Sequence, residues 1–251
     1  MRTSAITAAI LIIGNEILSG RTQDTNVCYI AKNLSKLGIE LLEVRVVPDD
    51  EGKIIEAVNT LRQTYTYVFT TGGIGATHDD ITAASIAKAF GVNLVINPKA
   101  MAILKDYYQD DLNETRQRMA LLPGGCDLIE NPVSKAPAFR VGNVFCLAGM
   151  PSVMRGMFDF VMTQLETADP FYQTIITCEL TEGIIGKKLG EIQQQYLEVN
   201  IGSYPFYQLS HVGVSLVIRG QNKPLIGQAT AAVLKMIESF GGTAKVEEEI
   251  P

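Results

Sequence analysis

Basic residues are in short supply in this sequence: 21 lysines and arginines stand against 27 aspartates and glutamates over 251 residues, a formal net charge of −6. That shortfall excludes a long basic stripe, and with it recognition of nucleic acid through many phosphates. A local pocket for one or two phosphates stays open. Histidine occurs only twice, and the four cysteines (Cys28, Cys126, Cys146, Cys178) lie far apart with no C-x-x-C pair. Such spacing suits neither a zinc site nor a dense disulfide framework, and it reads as reduced thiols in a cytoplasmic protein. The apolar run at residues 5–13 is too short to span a bilayer and carries no signal-peptide cleavage pattern. It predicts a buried first strand, with no membrane partner.

What is present is an ordinary globular composition, 47% hydrophobic and 19% charged, long enough for one large domain with a small appendage. The unbroken apolar run 5–13 is expected of a strand covered on both faces. A polar loop follows at 14–23. A helix then starts at Asp24 or Thr25, with Val27, Ile30, Ala31, Leu34 and Leu37 at helical spacing and Gly38 as its left-handed stop. Residues 39–47 read as a second strand. Pro48-Asp49-Asp50 opens a helix with Ile54, Ile55, Val58 and Leu61 inward, 67–71 is a third strand, and 80–90 a third helix. This βαβαβα order predicts an α/β domain, a mainly parallel sheet flanked by helices.

The pattern continues with a short strand at 92–96, helices at 97–108 and 113–121, a hairpin at 138–147 turning on Gly142-Asn143, and a helix at 152–165. Thr167-Ala168-Asp169-Pro170 marks a boundary, giving domains 1–168 and 169–251. Past it come a strand (174–180), a helix (184–196), an extended segment (199–204), a strand (212–218) and a helix (225–240). They describe a small α+β unit with no cluster of acids, histidines or thiols, read as a packing or oligomerisation module. Glu247-Glu248-Glu249 reads as a solvated tail.

In parallel α/β sheets, ligands gather at the carboxyl ends of the strands. Two loops there are dense in glycine and acids. In residues 70–82 (TTGGIGATHDDIT), Gly72, Gly73 and Gly75 let the backbone approach a ligand and turn N–H groups toward a phosphate, with Thr77 and Thr82 beside them. The same glycines also serve a bare tight turn. Asp79 and Asp80 suit the first turn of the following helix, whose dipole they offset. Beside an anion site they also repel the ligand. A divalent ion with hard oxygen ligands, magnesium or manganese, resolves that conflict, so both aspartates are candidate metal ligands.

Gly14, Asn15 and Glu16 take the equivalent place after the first strand, with Asp24 and Asn26 beyond them, two residues that also suit helix capping. Glu16, set between Ile13 and Ile17, needs a partner for its carboxylate. His78 has no serine or cysteine beside it to build a triad and reads as a structural or ligand-edge residue, while His211 lies apart. Lys135, Arg140, Arg116 and Arg118 are the cations placed to reach a phosphate, although each alone is more often a surface charge.

Residues 13–26 (IGNEILSGRTQDTN), 70–82, 131–139 (NPVSKAPAF) and Gly149-Met150-Pro151, taken in that order, resemble the molybdopterin-binding domain of the MoaB/Mog type. The version they resemble most is the N-terminal half of CinA, the competence-damage-inducible protein. The resemblance covers about residues 5–165, and extends less firmly to the C-terminal unit through Ile201-Gly202-Ser203-Tyr204-Pro205. It implies a three-layer α/β/α domain, a ligand site at the strand ends that also takes in Pro132, Lys135, Gly149 and Pro151, and a molybdopterin or adenylated nucleotide as ligand. In the CinA branch it further implies hydrolysis of the pyrophosphate of ADP-ribose or FAD with magnesium, manganese or cobalt, none of which need be tightly bound. Family members are often homodimers or homotrimers, and CinA's C-terminal deamidase domain is expected to be absent. Two departures stand out: Ala76 where the family usually has proline, and Ala148-Gly149-Met150-Pro151 where it commonly reads P-G-x-P.

Three functions share these loops. In the first, a metal-dependent nucleotide pyrophosphatase, the glycine loop and Lys135 hold the diphosphate, Asp79 and Asp80 the metal, and Glu16 or Asp79 orients the attacking water. The second is a pterin-binding step of molybdenum cofactor synthesis, by adenylyl transfer or metal insertion. The third is a nucleotide or pterin binder without turnover.

Overall fold

A computed structural model of the protein describes residues 5–208 and 211–249. The chain forms two compact units, residues 1–34 with 39–167, and residues 35–38 with 168–251. The first contains β1 (Thr7–Ile13), α1 (Asn15–Leu18), α2 (Asn26–Lys36), β2 (Glu40–Val47), α3 (Glu51–Thr64), β3 (Tyr67–Thr71), α4 (Thr82–Phe90), β4 (Leu94–Ile96), α5 (Pro98–Tyr108), α6 (Glu114–Gln117), β5 (Leu121–Pro123), β6 (Asp127–Ile129), β7 (Ala138–Val141), β8 (Val144–Leu147) and α7 (Pro151–Met162).

Its main sheet has the order β2-β1-β3-β8-β7-β6. The first three pairings are parallel and the last two antiparallel. The unbroken apolar run of β1 is explained by this position: it has parallel neighbours on both edges, and residues 8–13 are all buried. Ile54, Ala57, Val58 and Leu61 of α3 bury one stripe against this sheet's core, which also holds Leu11, Val68, Ile86 and Cys146. The helix starts are set locally. The Asp24 carboxylate accepts the Val27 N–H at the head of α2, and Asp50 accepts that of Lys53 at the head of α3. The α/β class expected from the sequence is the fold observed.

Some expected boundaries move. Residues 14–23, expected as loop, contain the single turn α1. The helix expected from Asp80 begins at Thr82, because the Asp80 side chain turns back to Thr77. Residues 113–121 hold only the short α6 and a 3-10 turn before β5, which pairs antiparallel with β4.

The second unit comprises β9 (Tyr172–Cys178), α8 (Glu182–Gln195), β10 (Asn200–Gln208), β11 (His211–Gly220), α9 (Lys223–Ser239) and β12 (Ala244–Glu249). Its antiparallel sheet has the order β10-β11-β9-β12. Ile176, Leu216 and Ile218 of the sheet share a core with Ile185 and Leu189 of α8 and Val233 and Ile237 of α9. The acidic stretch 247–249, expected as a tail, belongs instead to β12. Its backbone completes the ladder along the free edge of β9, and Glu247 pairs with Lys245 at 2.5 Å.

All four cysteines are unpaired; Cys28 is exposed and Cys146 and Cys178 are buried. Burial pushes the Cys146 thiol up to about 12, which removes it as a thiolate nucleophile. Among the described residues, no helix is long and apolar enough to cross a membrane.

Candidate functional site

Strand order assembles the site. β2, β1, β3 and β8 run parallel side by side, so the loops leaving all four open at one edge of the sheet. A cavity of about 400 Å³ lies there, within the first unit. Each loop contributes to it: Glu16 after β1, Asp49 after β2, residues 72–75 with Asp79 and Asp80 after β3, and Ala148 to Met150 after β8. Asn131, Ser134, Ala136 and Pro137 close it from the segment between β6 and β7.

The glycine loop forms the floor. Gly72 has φ +104°, and a β-carbon there would sit 2.1 Å from the Ile13 carbonyl oxygen. Gly73 has φ +64°, and its β-carbon would sit 2.3 Å from Thr82 Oγ1. Only glycine fits either place. Thr82 is fully buried; its hydroxyl donates to the Gly72 carbonyl at 2.9 Å and its N–H to the Gly73 carbonyl at 3.0 Å. Thr82 therefore pins the loop from behind and does not line the cavity. Asp80 fastens the other end, its Oδ2 accepting from the Thr77 N–H at 2.8 Å and the Thr77 hydroxyl at 2.5 Å. Between these two anchors, the N–H groups of Gly73, Ile74, Gly75 and Ala76 donate to no protein group among the described residues. Four free donors in a glycine turn are what an anion needs.

The side chains set the opposite sign. Glu16, Asp49, Asp79 and Asp80 all line the cavity, and among the described residues no lysine or arginine does. Asp49 accepts the Asn15 N–H at 2.9 Å, which ties the loop after β2 to the start of α1. Asp79 is open to solvent, and the Thr77 hydroxyl, its own backbone N–H and nearby His78 hold its carboxyl below the usual carboxylate range. Thr77 has one hydroxyl proton, and the short contact gives it to Asp80, so the two acids compete for it. His78, 94% exposed at its side chain, lies outside the cavity lining.

The other predicted residues fall into three groups. Gly149 lines the cavity, and Gly14 and Asn15 adjoin it: a β-carbon on Gly149 would lie 3.3 Å from Gly72 Cα, and Gly14 lies under the Glu16 carboxylate. Asp24 caps α2, while buried Asn26 donates from Nδ2 to the Gly149 carbonyl at 2.8 Å and leaves its own Oδ1 unpaired. Pro132 packs toward Gly156, and Pro151 opens α7, whose first turn has no side-chain cap.

The cations separate more sharply. Arg140 is committed to Asp127, its cross-strand partner, and Arg116 lies over Tyr108 and donates to the Asp111 carbonyl. Arg118 is exposed in the turn after α6. Lys135 is exposed between two lining residues, makes no ion pair among the described residues, and holds φ +60°, a conformation costly for a side chain with a β-carbon.

Sequence reasoning missed Asp49, Asn131, Ser134 and the methionines Met119, Met150 and Met157 as lining residues. The signal for Asp49 was present. The rule that picked the loops after β1 and β3 also picks the one after β2, and Asp50 is occupied as the helix cap.

The fold and the site define an α/β domain that presents a glycine turn with free backbone donors beside four carboxylates. Residues 9–167 match the family model described as a probable molybdopterin binding domain, and the chain belongs to that family. Residues 170–241 match the middle domain of FAD synthase. A protein of Archaeoglobus fulgidus is 35% identical over 78% of this chain and 84% of its own length. A probable FAD synthase of Caenorhabditis briggsae is 34% identical over 79% of this chain, which spans only 43% of that protein. The crystal structure of CinA from Thermoplasma acidophilum is 36% identical, with a TM-score of 0.61, and covers 64% of this chain and 99% of that one. The resemblance drawn from the four motifs is thereby borne out.

Proposed function

We propose that the chain is a divalent-metal-dependent nucleotide pyrophosphatase acting on ADP-ribose or FAD-like dinucleotides. One observation carries the reading: a glycine turn with four free backbone donors adjoins a cavity lined by four carboxylates and, among the described residues, by no cationic side chain. A diphosphate entering alone would gain the turn and meet the repulsion of the acids. The donor set is all hard oxygen, which fits magnesium or manganese. Among the described residues, no group of three or more histidines, cysteines or acids is gathered closely enough to hold a metal unaided. The ion is bound through one or two carboxylates and completed by phosphate and water. Asp79, whose ion-pair partner is the exposed His78 at 4.0 Å, is the carboxylate best suited to it. When bound, the ion supplies positive charge against the phosphate oxygens.

The chain's own residues do the rest. The N–H groups of residues 73–76 hold one phosphate and offset the charge that grows on it as the bond breaks. Asp80 holds the turn in shape through Thr77. Lys135, unpaired at the rim, meets the second phosphate. Glu16 or Asp49 takes a proton from the water whose oxygen attacks phosphorus. The P–O–P bridge breaks, and AMP leaves with the other half as its phosphate. The match of residues 170–241 to FAD synthase middle domains supports a flavin dinucleotide among the substrates.

A second reading, pterin binding in molybdenum cofactor synthesis, is favoured by the description of the family that residues 9–167 match. Product analysis separates the two. Purified protein incubated with ADP-ribose or FAD and Mg²⁺, Mn²⁺ or Co²⁺ is expected to release AMP, and EDTA to stop the release. No AMP with any of the three ions, alongside tight pterin binding, would decide for the second.

A further inference from the structure

Eight of the 251 residues are methionine, and three of those eight, Met119, Met150 and Met157, line this one cavity. Two of them share a face of α7 and its cap: Met150, Val153 and Met157 follow at intervals of three and four, which sets them one above another. Met157 is buried, and its sulfur accepts the Ala148 N–H at 3.4 Å, which fixes the thioether at the base of the stripe. Met150, at the mouth, is 64% exposed. Met119 arrives from a different element, the 3-10 turn after α6. Ile13 and Ile74 extend the apolar lining, and among the described residues no aromatic side chain contributes to it.

A diphosphate has no use for such a wall. Covering this apolar surface with a ligand removes it from water, which favours binding in proportion to the area covered. Thioethers are polarisable, adapt their shape, and contact aromatic rings favourably at face and edge. We propose that the methionine stripe of α7, together with Met119, seats a flat heteroaromatic ring, so that the site recognises a nucleotide by its base as well as its phosphates. The substrate class is then a base-bearing nucleotide, and inorganic or sugar diphosphates are poor ligands. This rests on the reading that the cavity takes a nucleotide, and it is tested apart from hydrolysis.

The probes are AMP and FMN, which contain no diphosphate bond to cleave, with inorganic pyrophosphate as the ring-free control. Each is titrated calorimetrically into the intact protein with Mg²⁺. Met150→Ala and Met119→Ala are each expected to weaken AMP and FMN about fivefold while leaving pyrophosphate within about twofold. Met150→Leu, which keeps the apolar bulk, should return to within about twofold of the unaltered protein. Because Met150 is exposed, its variants should melt with the parent. Unchanged mononucleotide binding in both alanine variants would overturn the proposal. So would an equal loss for pyrophosphate, or no mononucleotide binding by the unaltered protein. Methionine-dependent FMN binding without AMP release from FAD would keep this inference and remove the pyrophosphatase reading.

Discussion

Replacing Gly72 with alanine is expected to destabilise the protein by about 4 kcal/mol and to abolish binding at the cavity. Two effects add. At φ +104° an alanine is held in a backbone region that costs about 1–3 kcal/mol. Its β-carbon would also sit 2.1 Å from the Ile13 carbonyl oxygen, a backbone atom of β1, a strand paired on both edges. Neither side can yield cheaply, since Gly72 donates its N–H to Leu147 and accepts from the Thr82 hydroxyl. Gly20 supplies the control. It too has a positive φ, +72°, yet nothing lies within 4 Å of a β-carbon there. Gly20→Ala should therefore cost about 1 kcal/mol, the backbone share alone. Urea denaturation of the two variants reads the difference. Equal losses would show that the approach of Gly72 to Ile13 is not what the loop depends on.

Asp79→Asn is expected to lower kcat/KM for ADP-ribose at least about a hundredfold with little change in melting temperature. The side chain is 67% exposed, and its contacts are with its own backbone N–H, the Thr77 hydroxyl and His78, so asparagine removes the charge and little else. Asp80→Asn should behave differently. Asp80 accepts twice from Thr77, and its loss loosens the turn as well as the charge pattern, so both stability and rate fall. The depressed titration of Asp79 adds a pH test. A carboxylate held below its ordinary range stays ionised at pH 5, so activity should not drop between pH 8 and pH 5 on its account. A variant at position 79 that keeps half its rate would remove this residue from the mechanism.

Much of the α/β fold was legible because its signals are local. The apolar run of β1, the cap at Asp24, the helix opening at Asp49-Asp50 and the left-handed stop at Gly38 each act within a few residues of themselves. The loops after β1 and β3 followed from the order of elements and a general rule about strand ends. What escaped depends on partners far along the chain. Strands β5 and β6 have three residues each, too short to leave a period, and exist because an edge is there to pair with. β12 looked like a solvated tail because only the free edge of β9 makes it a strand.

Side-chain commitments were hidden in the same way. Arg140 looked free to meet a phosphate until the hairpin register set it opposite Asp127. Thr82 looked like a ligand residue in a glycine motif, and the fold turns its hydroxyl back onto the loop. Met119 reaches the cavity from a turn about forty residues past the glycine loop, and no spacing rule connects the two.

The central claim is that this cavity accepts a diphosphate only with a divalent cation beside its carboxylates. Calorimetric titration of inorganic pyrophosphate into the protein tests it directly, once with Mn²⁺ and once with EDTA. Binding with Mn²⁺ at least about a hundredfold tighter than without it is the predicted result, a coupling of about 2.7 kcal/mol. Equal affinity in EDTA would contradict the account, since the backbone donors would then be holding the anion against four carboxylates without help.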